Sequence, residues 1–512
     1  MTWITVFFFL LILINSVQNK FEEKRNVLMI IMDDFRPAIF AYGDRLAKTP
    51  NIDKFVEKSF YFTRAYAQQA LCAPSRNSML TGRRPDTIHL YDFYNYWRTF
   101  VGNFTTLPQY FKENGYLTHS VGKVFHPGIS SNFTDDYPLS WSNKPFHPKT
   151  ESFMNSAVCP DGSGVKKKNL ICPIRVHSQP LQTLPDIESA NEACRFLKNN
   201  KKQAKPFFLA VGFHKPHIPF RFPKKFLGNF SETDFDWKIS PYKPLDMPDI
   251  AWNPFTDIRM RDDFANLSIP LFGPIPKEKA IKIRESYYAA VSYVDDLFGK
   301  ILTEVNLENT IVLLTSDHGW SLGEHGEWAK YSNFEISLRV PFILYSPEFQ
   351  LKKRKPIKHI IELIDVFPTL IDLANLSKLP KCKTNKKYLK ACVEGKSLYK
   401  ILKNNSKGTL PNIALSQYPR PNIHPKLKSN TDKPRLNQIK VMGYSIRTNN
   451  FRYTMWIKFT PKNFTRHWNK IYARELYDHR FDDEEAINLV NSSFYKQTLT
   501  RLENKLITCF SK

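Results

Sequence analysis

Short unbroken apolar runs alternate along this chain with stretches whose apolar residues recur at helical spacing. Residues 26–32 read Asn-Val-Leu-Met-Ile-Ile-Met, residues 206–212 Pro-Phe-Phe-Leu-Ala-Val-Gly and residues 310–316 Thr-Ile-Val-Leu-Leu-Thr-Ser. Apolar runs of that length, without polar alternation, are the pattern of strands buried on both faces. Before the third run, Ile283, Tyr287, Ala290, Val291, Val294, Leu297, Phe298 and Ile301 trace one face of a long helix, and 189–197 form a shorter one before the second. A helix from near Pro108 stops at Gly115, and 116–121 then read as a strand. This alternation predicts a mixed, mostly parallel sheet covered by helices.

Beyond residue 403 the pattern changes. Residues up to about 440 are rich in Pro, Asn and Lys and read as a connection. After them, 442–447 and 451–457, joined by Thr448-Asn449-Asn450, predict paired antiparallel strands. The expected organisation is a signal peptide over 1–18, a large catalytic domain over 24–403, a connecting segment over 404–440 and a small antiparallel β subdomain over 441–512. The signal peptide rests on the apolar run 4–14, too short to span a bilayer and followed by Ser16, Val17 and Gln18; no Lys or Arg precedes it. No later stretch approaches spanning length, so the mature chain is expected to carry no membrane span. Eight Asn-x-Ser/Thr tripeptides, at Asn103, Asn132, Asn229, Asn266, Asn375, Asn404, Asn463 and Asn491, support a secretory route.

Composition narrows the class. Hydrophobic residues make up 42% and aromatics 14%, which excludes a disordered chain. Of seven cysteines, Cys159 with Cys172 and Cys382 with Cys392 are close enough to staple short Lys-rich loops; Cys72, Cys194 and Cys509 remain. The net charge of +26 favours polyanionic partners. For a lumenal protein these are glycosaminoglycans rather than nucleic acid, with a simple Lys-rich composition as the rival explanation.

The residues that carry chemistry stand at strand ends. The first strand runs into Asp33-Asp34 and the third into Asp317-His318-Gly319. Ligands of open α/β sheets bind beyond the carboxyl ends of strands, and carboxylates gathered there from two strands repel unless a divalent cation joins them. Asp-Asp after a strand is by itself an ordinary turn or cap; the second Asp-His pair in an equivalent position makes a metal site the better reading. Between them lies Cys72-Ala-Pro-Ser-Arg76, with Pro74 suited to the first turn of a helix and Gly82 to its end. Cys72 therefore sits where backbone N–H groups favour negative charge.

Cys72-Ala-Pro-Ser-Arg76 followed by Leu80-Thr81-Gly82-Arg83 resembles the signature of type I sulfatases, in which the cysteine is oxidised to formylglycine. Within that family the chain is most similar to the iduronate-2-sulfatase branch. The likeness is carried by Arg83-Arg-Pro-Asp86, Val121-Gly-Lys-Val-Phe-His-Pro-Gly128, His214-Lys-Pro-His-Ile-Pro-Phe-Arg221, Gly323-Glu-His-Gly-Glu-Trp-Ala-Lys-Tyr331 and Ser416-Gln-Tyr-Pro-Arg-Pro421. One departure is the stretch between Pro341 and Pro368, shorter than in relatives and carrying Lys352-Lys-Arg-Lys355, which leaves maturation cleavage and pocket shape open.

The resemblance implies an alkaline-phosphatase-like α/β/α sandwich acting as a sulfuric ester hydrolase. It implies Asp33, Asp34, Asp317 and His318, with the residue-72 oxygen, as ligands of a calcium ion. Hydrated formylglycine at Cys72 would attack sulfur, release the sugar alcohol, and then expel sulfate. Arg76 and Lys123 would hold the hydrate, His126 would orient it and take its proton, and His214 and Lys330 would bind sulfate and assist the leaving group. Tyr91, Arg98, Trp320 and Tyr331 are expected to shape the sugar pocket. The substrate implied is 2-sulfated L-iduronate of heparan and dermatan sulfate, the maturation partner a formylglycine-generating enzyme, and the destination the lysosome or, alternatively, the extracellular space. A sulfatase for another glycosaminoglycan sulfate and a non-catalytic polyanion-binding protein on the same fold are the rival readings.

Overall fold

The computed structural model describes residues 24–160, 163–201, 205–235, 242–349, 356–382, 389–404 and 412–511. The expected signal peptide and the basic run 352–355 lie outside the described residues. Seven strands form the main sheet: β1 (Asn26–Asp33), β2 (Phe60–Tyr66), β3 (Leu117–Gly122), β4 (Phe207–Pro216), β5 (Thr310–Ser316), β6 (Arg339–Tyr345) and β7 (Ile357–Glu362). Their order is β7-β2-β6-β5-β1-β4-β3. Only β6 runs against the others, pairing antiparallel with both β2 and β5. Pro341 in β6 offers no N–H, and the register of its ladder with β2 shifts there, between Val340 and Phe342.

Alternation along β1 shows why the sheet needs two helical layers. Leu28, Ile30 and Met32 enter one core with helices α2 (Pro185–Asn200) and α3 (Lys277–Leu302). Val27, Met29 and Ile31 enter the other with α1 (Cys72–Thr81) and α4 (Val366–Leu373). With apolar residues on both faces, each face must be covered, and the result is the expected α/β/α sandwich, mixed but mostly parallel.

A second sheet of four antiparallel strands, β8 (Ala414–Arg420), β9 (Val441–Arg447), β10 (Phe451–Thr460) and β11 (Thr465–Asp478), packs with α5 (Lys496–Ser511) around its own core. Strand β8 lies inside the stretch 404–440 that the sequence pattern reads as connection; Ser416 Oγ donates to the Ala67 carbonyl at 2.7 Å and Gln417 N to the Gln68 carbonyl at 2.8 Å, tying it to the large domain. Cys159 is bonded to Cys172 and Cys382 to Cys392, leaving Cys72, Cys194 and Cys509 as thiols. No helix among the described residues is long and apolar enough to cross a membrane. Seven of the eight sequon asparagines are exposed; the side chain of Asn229 lies outside the description.

Candidate active site

The site forms where the strands part. β1 pairs with β5 up to Met32–Ser316, and its register with β4 slips between Met32 and Asp33. Asp34 then takes φ 62°, turning the chain so that neighbouring carboxylates face the same space. Its N–H donates to Asp317 Oδ1 at 3.1 Å, locking the two strand ends together. Helix α1 starts at Cys72 and ends on Gly82 at φ 64°, as the sequence predicts, and is buried along its whole length.

Ligand atoms of Asp33, Asp34, Cys72 and His318 all lie within 4.8 Å of one another. Cys72 Sγ is 3.5 Å from Asp33 Oδ1 and 3.2 Å from Lys330 Nζ. Lys330 Nζ also donates to Asp34 Oδ1 at 2.5 Å, and Lys123 Nζ pairs with Asp33 Oδ2. Arg76 Nε donates to Asp317 Oδ2 at 2.9 Å, and its Nη2 lies 3.3 Å from Asp33 Oδ1. Burial pushes the Asp34 carboxyl up to about 8, with the charges of Asp33 and Asp317 adding and Lys330 opposing. Asp33 suffers the same burial, yet Lys123, foremost among its cationic neighbours, holds it well below the ordinary carboxylate range. Burial likewise pushes the Cys72 thiol up to about 12.

The donor set fits a hard cation. His318 Nδ1 donates to the Gly319 carbonyl at 3.0 Å, so the Nε2 lone pair faces Asp34 Oδ1 at 3.5 Å and Asp317 Oδ2 at 3.6 Å. His318 Nε2 and Asp34 Oδ2 are both buried without a hydrogen-bond partner. A lone pair aimed at carboxylates is repulsive until a cation lies between them, and oxygen-rich donors favour calcium or magnesium. Glu335, His479 and Glu485 also converge, but Arg452 already reaches Glu335 and Glu485 at 2.6 Å each, and Arg447 reaches Glu335 at 2.9 Å. That group is a buried ion-pair network.

A family model described as Sulfatase matches residues 25–376, well over half the chain. The chain belongs to the sulfatase family. Iduronate 2-sulfatase of Mus musculus is 47% identical, the match covering 93% of this chain and 92% of that protein; the Homo sapiens enzyme of that name is 46% identical over the same shares. The phosphonate monoester hydrolase of Silicibacter pomeroyi has a related fold, with a TM-score of 0.71 at 17% identity and 94% of each chain covered. This sulfatase is accordingly a sulfuric ester hydrolase.

Of the residues singled out from the sulfatase sequence, Asp33, Asp34, Cys72, Arg76, Lys123, Asp317, His318 and Lys330 come together at one place. His126 lines the cavity outside it, its ring 4.6 Å from that of Phe93, and burial with the charge of Lys123 holds it well below its ordinary value. His214 is placed differently from expectation. Its Nδ1 lies 3.3 Å from Asp186 Oδ1 and its Nε2 3.4 Å from Glu151 Oε1. The imidazole facing the cluster is His217, with Nδ1 on the Ile218 carbonyl at 2.5 Å and Nε2 3.8 Å from Asp34 Oδ2. The second histidine of His214-Lys-Pro-His217 was visible in the sequence, but only the turn after β4 decides which ring points inward.

Two of the four pocket aromatics and cations are engaged elsewhere. Tyr91 OH donates to Asp86 at 2.9 Å inside the C-terminal core, and Arg98 is held by Asp136 and Gln109. Trp320 and Tyr331 do flank the site, their rings 5.6 and 5.8 Å from Lys330 Nζ.

Proposed function

We propose that this sulfatase removes the 2-sulfate of L-iduronate from heparan sulfate and dermatan sulfate, with residue 72 converted to formylglycine and calcium held by Asp33, Asp34, Asp317 and His318. The observation that carries the chemistry is the position of Cys72 Sγ, 3.2 Å from Lys330 and 3.5 Å from Asp33 in a buried ring of opposite charges. The sugar follows the likeness to the two relatives named iduronate 2-sulfatase.

Calcium, when bound, would supply positive charge that lowers the pKa of a hydroxyl at residue 72. Formylglycine would supply one hydroxyl to attack sulfur and a second to expel sulfate. The chain's own residues do the rest. Arg76, Lys123 and Lys330 match the three carboxylates in charge, so a divalent ion leaves net positive charge for a sulfate ester and a charged nucleophile. Lys123 and Arg76 hold residue 72 and the developing charge, and His126 orients the hydrate. Lys330 and His217, in place of His214, bind sulfate and deliver a proton to the departing alcohol. Trp320 and Tyr331 keep water from Lys330 and border the sugar. Formylglycine-generating enzyme is the maturation partner, and the lysosome or the extracellular space is the place of action.

Sulfate release from two defined substrates tests this reading. A 2-sulfated iduronate at the non-reducing end is expected to be desulfated and a 6-sulfated glucosamine left intact. Activity on the second alone overturns the sugar, and release from neither by protein converted at residue 72 overturns the reading.

A further inference from the structure

Outside the catalytic cluster opens a cavity of about 860 Å³, bordered on one side by His126 and on the other by the segment 421–440. Lys426, Lys428, Lys433, Arg435 and Lys440 line it, and among the described residues no carboxylate does. Lys426, Lys428 and Lys440 are exposed and form no ion pair among the described residues. Like charges gathered around one concavity focus a positive potential there, which draws in an anionic occupant.

The segment is held in place rather than solvated freely. Buried Asp432 accepts the Thr256 N–H at 2.8 Å, and its carbonyl accepts Tyr418 OH at 2.9 Å. Leu436 N donates to Asp92 Oδ2 at 2.7 Å, and Ile439 is fully buried. Between these anchors the cations point to the cavity. Lys433 connects it to the reaction centre: its Nζ is 5.5 Å over the Tyr331 ring, the ring that Lys330 approaches from its other neighbourhood at 5.8 Å, and 3.8 Å from Asp257, which accepts Tyr331 OH.

We infer that segment 421–440 forms an anion subsite beside the reacting sulfate, taking a carboxylate or sulfate on the sugar next to the one being desulfated. This rests on the sulfatase reading and adds to it that the enzyme selects an extended polyanion by residues outside the catalytic cluster. Exposed single pairs contribute little, but three acting on one ligand add up to about tenfold in affinity.

The test compares the wild type with the combined Lys426→Gln, Lys428→Gln and Lys440→Gln variant on two substrates sharing the 2-sulfated iduronate. One carries a sulfated glucosamine as aglycone, the other an uncharged aryl group. The expected result is a fall of about tenfold in kcat/KM for the first relative to the second, expressed in KM, and restored by Lys→Arg at the same positions. An unaltered preference between the two substrates overturns the subsite. Calorimetric binding of a heparin-derived tetrasaccharide at low salt needs no turnover: about tenfold weaker binding by the variant supports the subsite and equal affinity overturns it. A wild type that cleaves neither substrate but loses tetrasaccharide affinity with the lysines removes the proposed reaction and retains the subsite.

Discussion

His214, near the end of β4, and His217, on the turn that follows it, stand three residues apart and face different neighbours. His214 lies between buried Asp186 and part-buried Glu151, while His217 Nε2 faces Asp34 Oδ2 at 3.8 Å. Removal of a positioned acid–base group costs roughly 100- to 10,000-fold. His217→Ala is therefore expected to lose activity on that scale with little change in melting temperature. His214→Ala removes the ring between buried Asp186 and part-buried Glu151, leaving each carboxylate its other partners, and is expected to cost about 1–3 kcal/mol of stability while kcat stays within roughly tenfold. Steady-state kinetics beside thermal melts separate the two, and the reverse order would return the catalytic role to His214. At this scale the convergence of Asp33, Asp34, Asp317 and His318 on Cys72 was legible because each stands in a short motif tied to a strand end or helix start. Tyr91 and Arg98 were not, because an aromatic or a cation in sequence looks the same whether it borders a pocket or, as here, satisfies Asp86 or Asp136.

Among the elements, the close approach of β3 and β4 positions Lys123. Gly122 and Gly212 face each other across this pair, and Lys123 N donates to the Gly212 carbonyl at 2.9 Å. A Cβ on Gly212 would stand 1.9 Å from the Lys123 carbonyl oxygen, a backbone atom that cannot swing away. Gly212→Ala is expected to destabilise the fold by about 1–3 kcal/mol and to lower kcat by displacing Lys123 from Asp33. Chemical denaturation with kinetics checks it, and wild-type values for both would show that Lys123 is placed some other way. Of the strands read from sequence, β1, β4 and β5 carry unbroken apolar runs, while β3, β9 and β10 were marked by the helix end or turn beside them. β2 carries Thr63 and Arg64, β6 carries Pro341, and β8 sits in a Pro- and Lys-rich stretch. Their strand state comes from ladders with distant partners, which a local pattern does not contain.

Over the whole molecule, two segments nearly 300 residues apart bring carboxylates to one cation-shaped space, and a third delivers residue 72 to its edge. Fold class was legible because alternating runs and helices allow few topologies. The anchoring of 421–440 was not, since its supports, Asp92, Thr256 and Tyr418, are scattered along the chain. The charge of +26 gains a local meaning where five cations of that segment meet one cavity. The most direct measurement is the mass of the peptide spanning residue 72, taken from protein made in a secretory host and assayed for sulfate release before digestion. An aldehyde at that position in the active fraction, and a thiol in the inactive one, is the predicted result. Full activity with Cys72 unmodified, or with Cys72→Ala, would contradict the account.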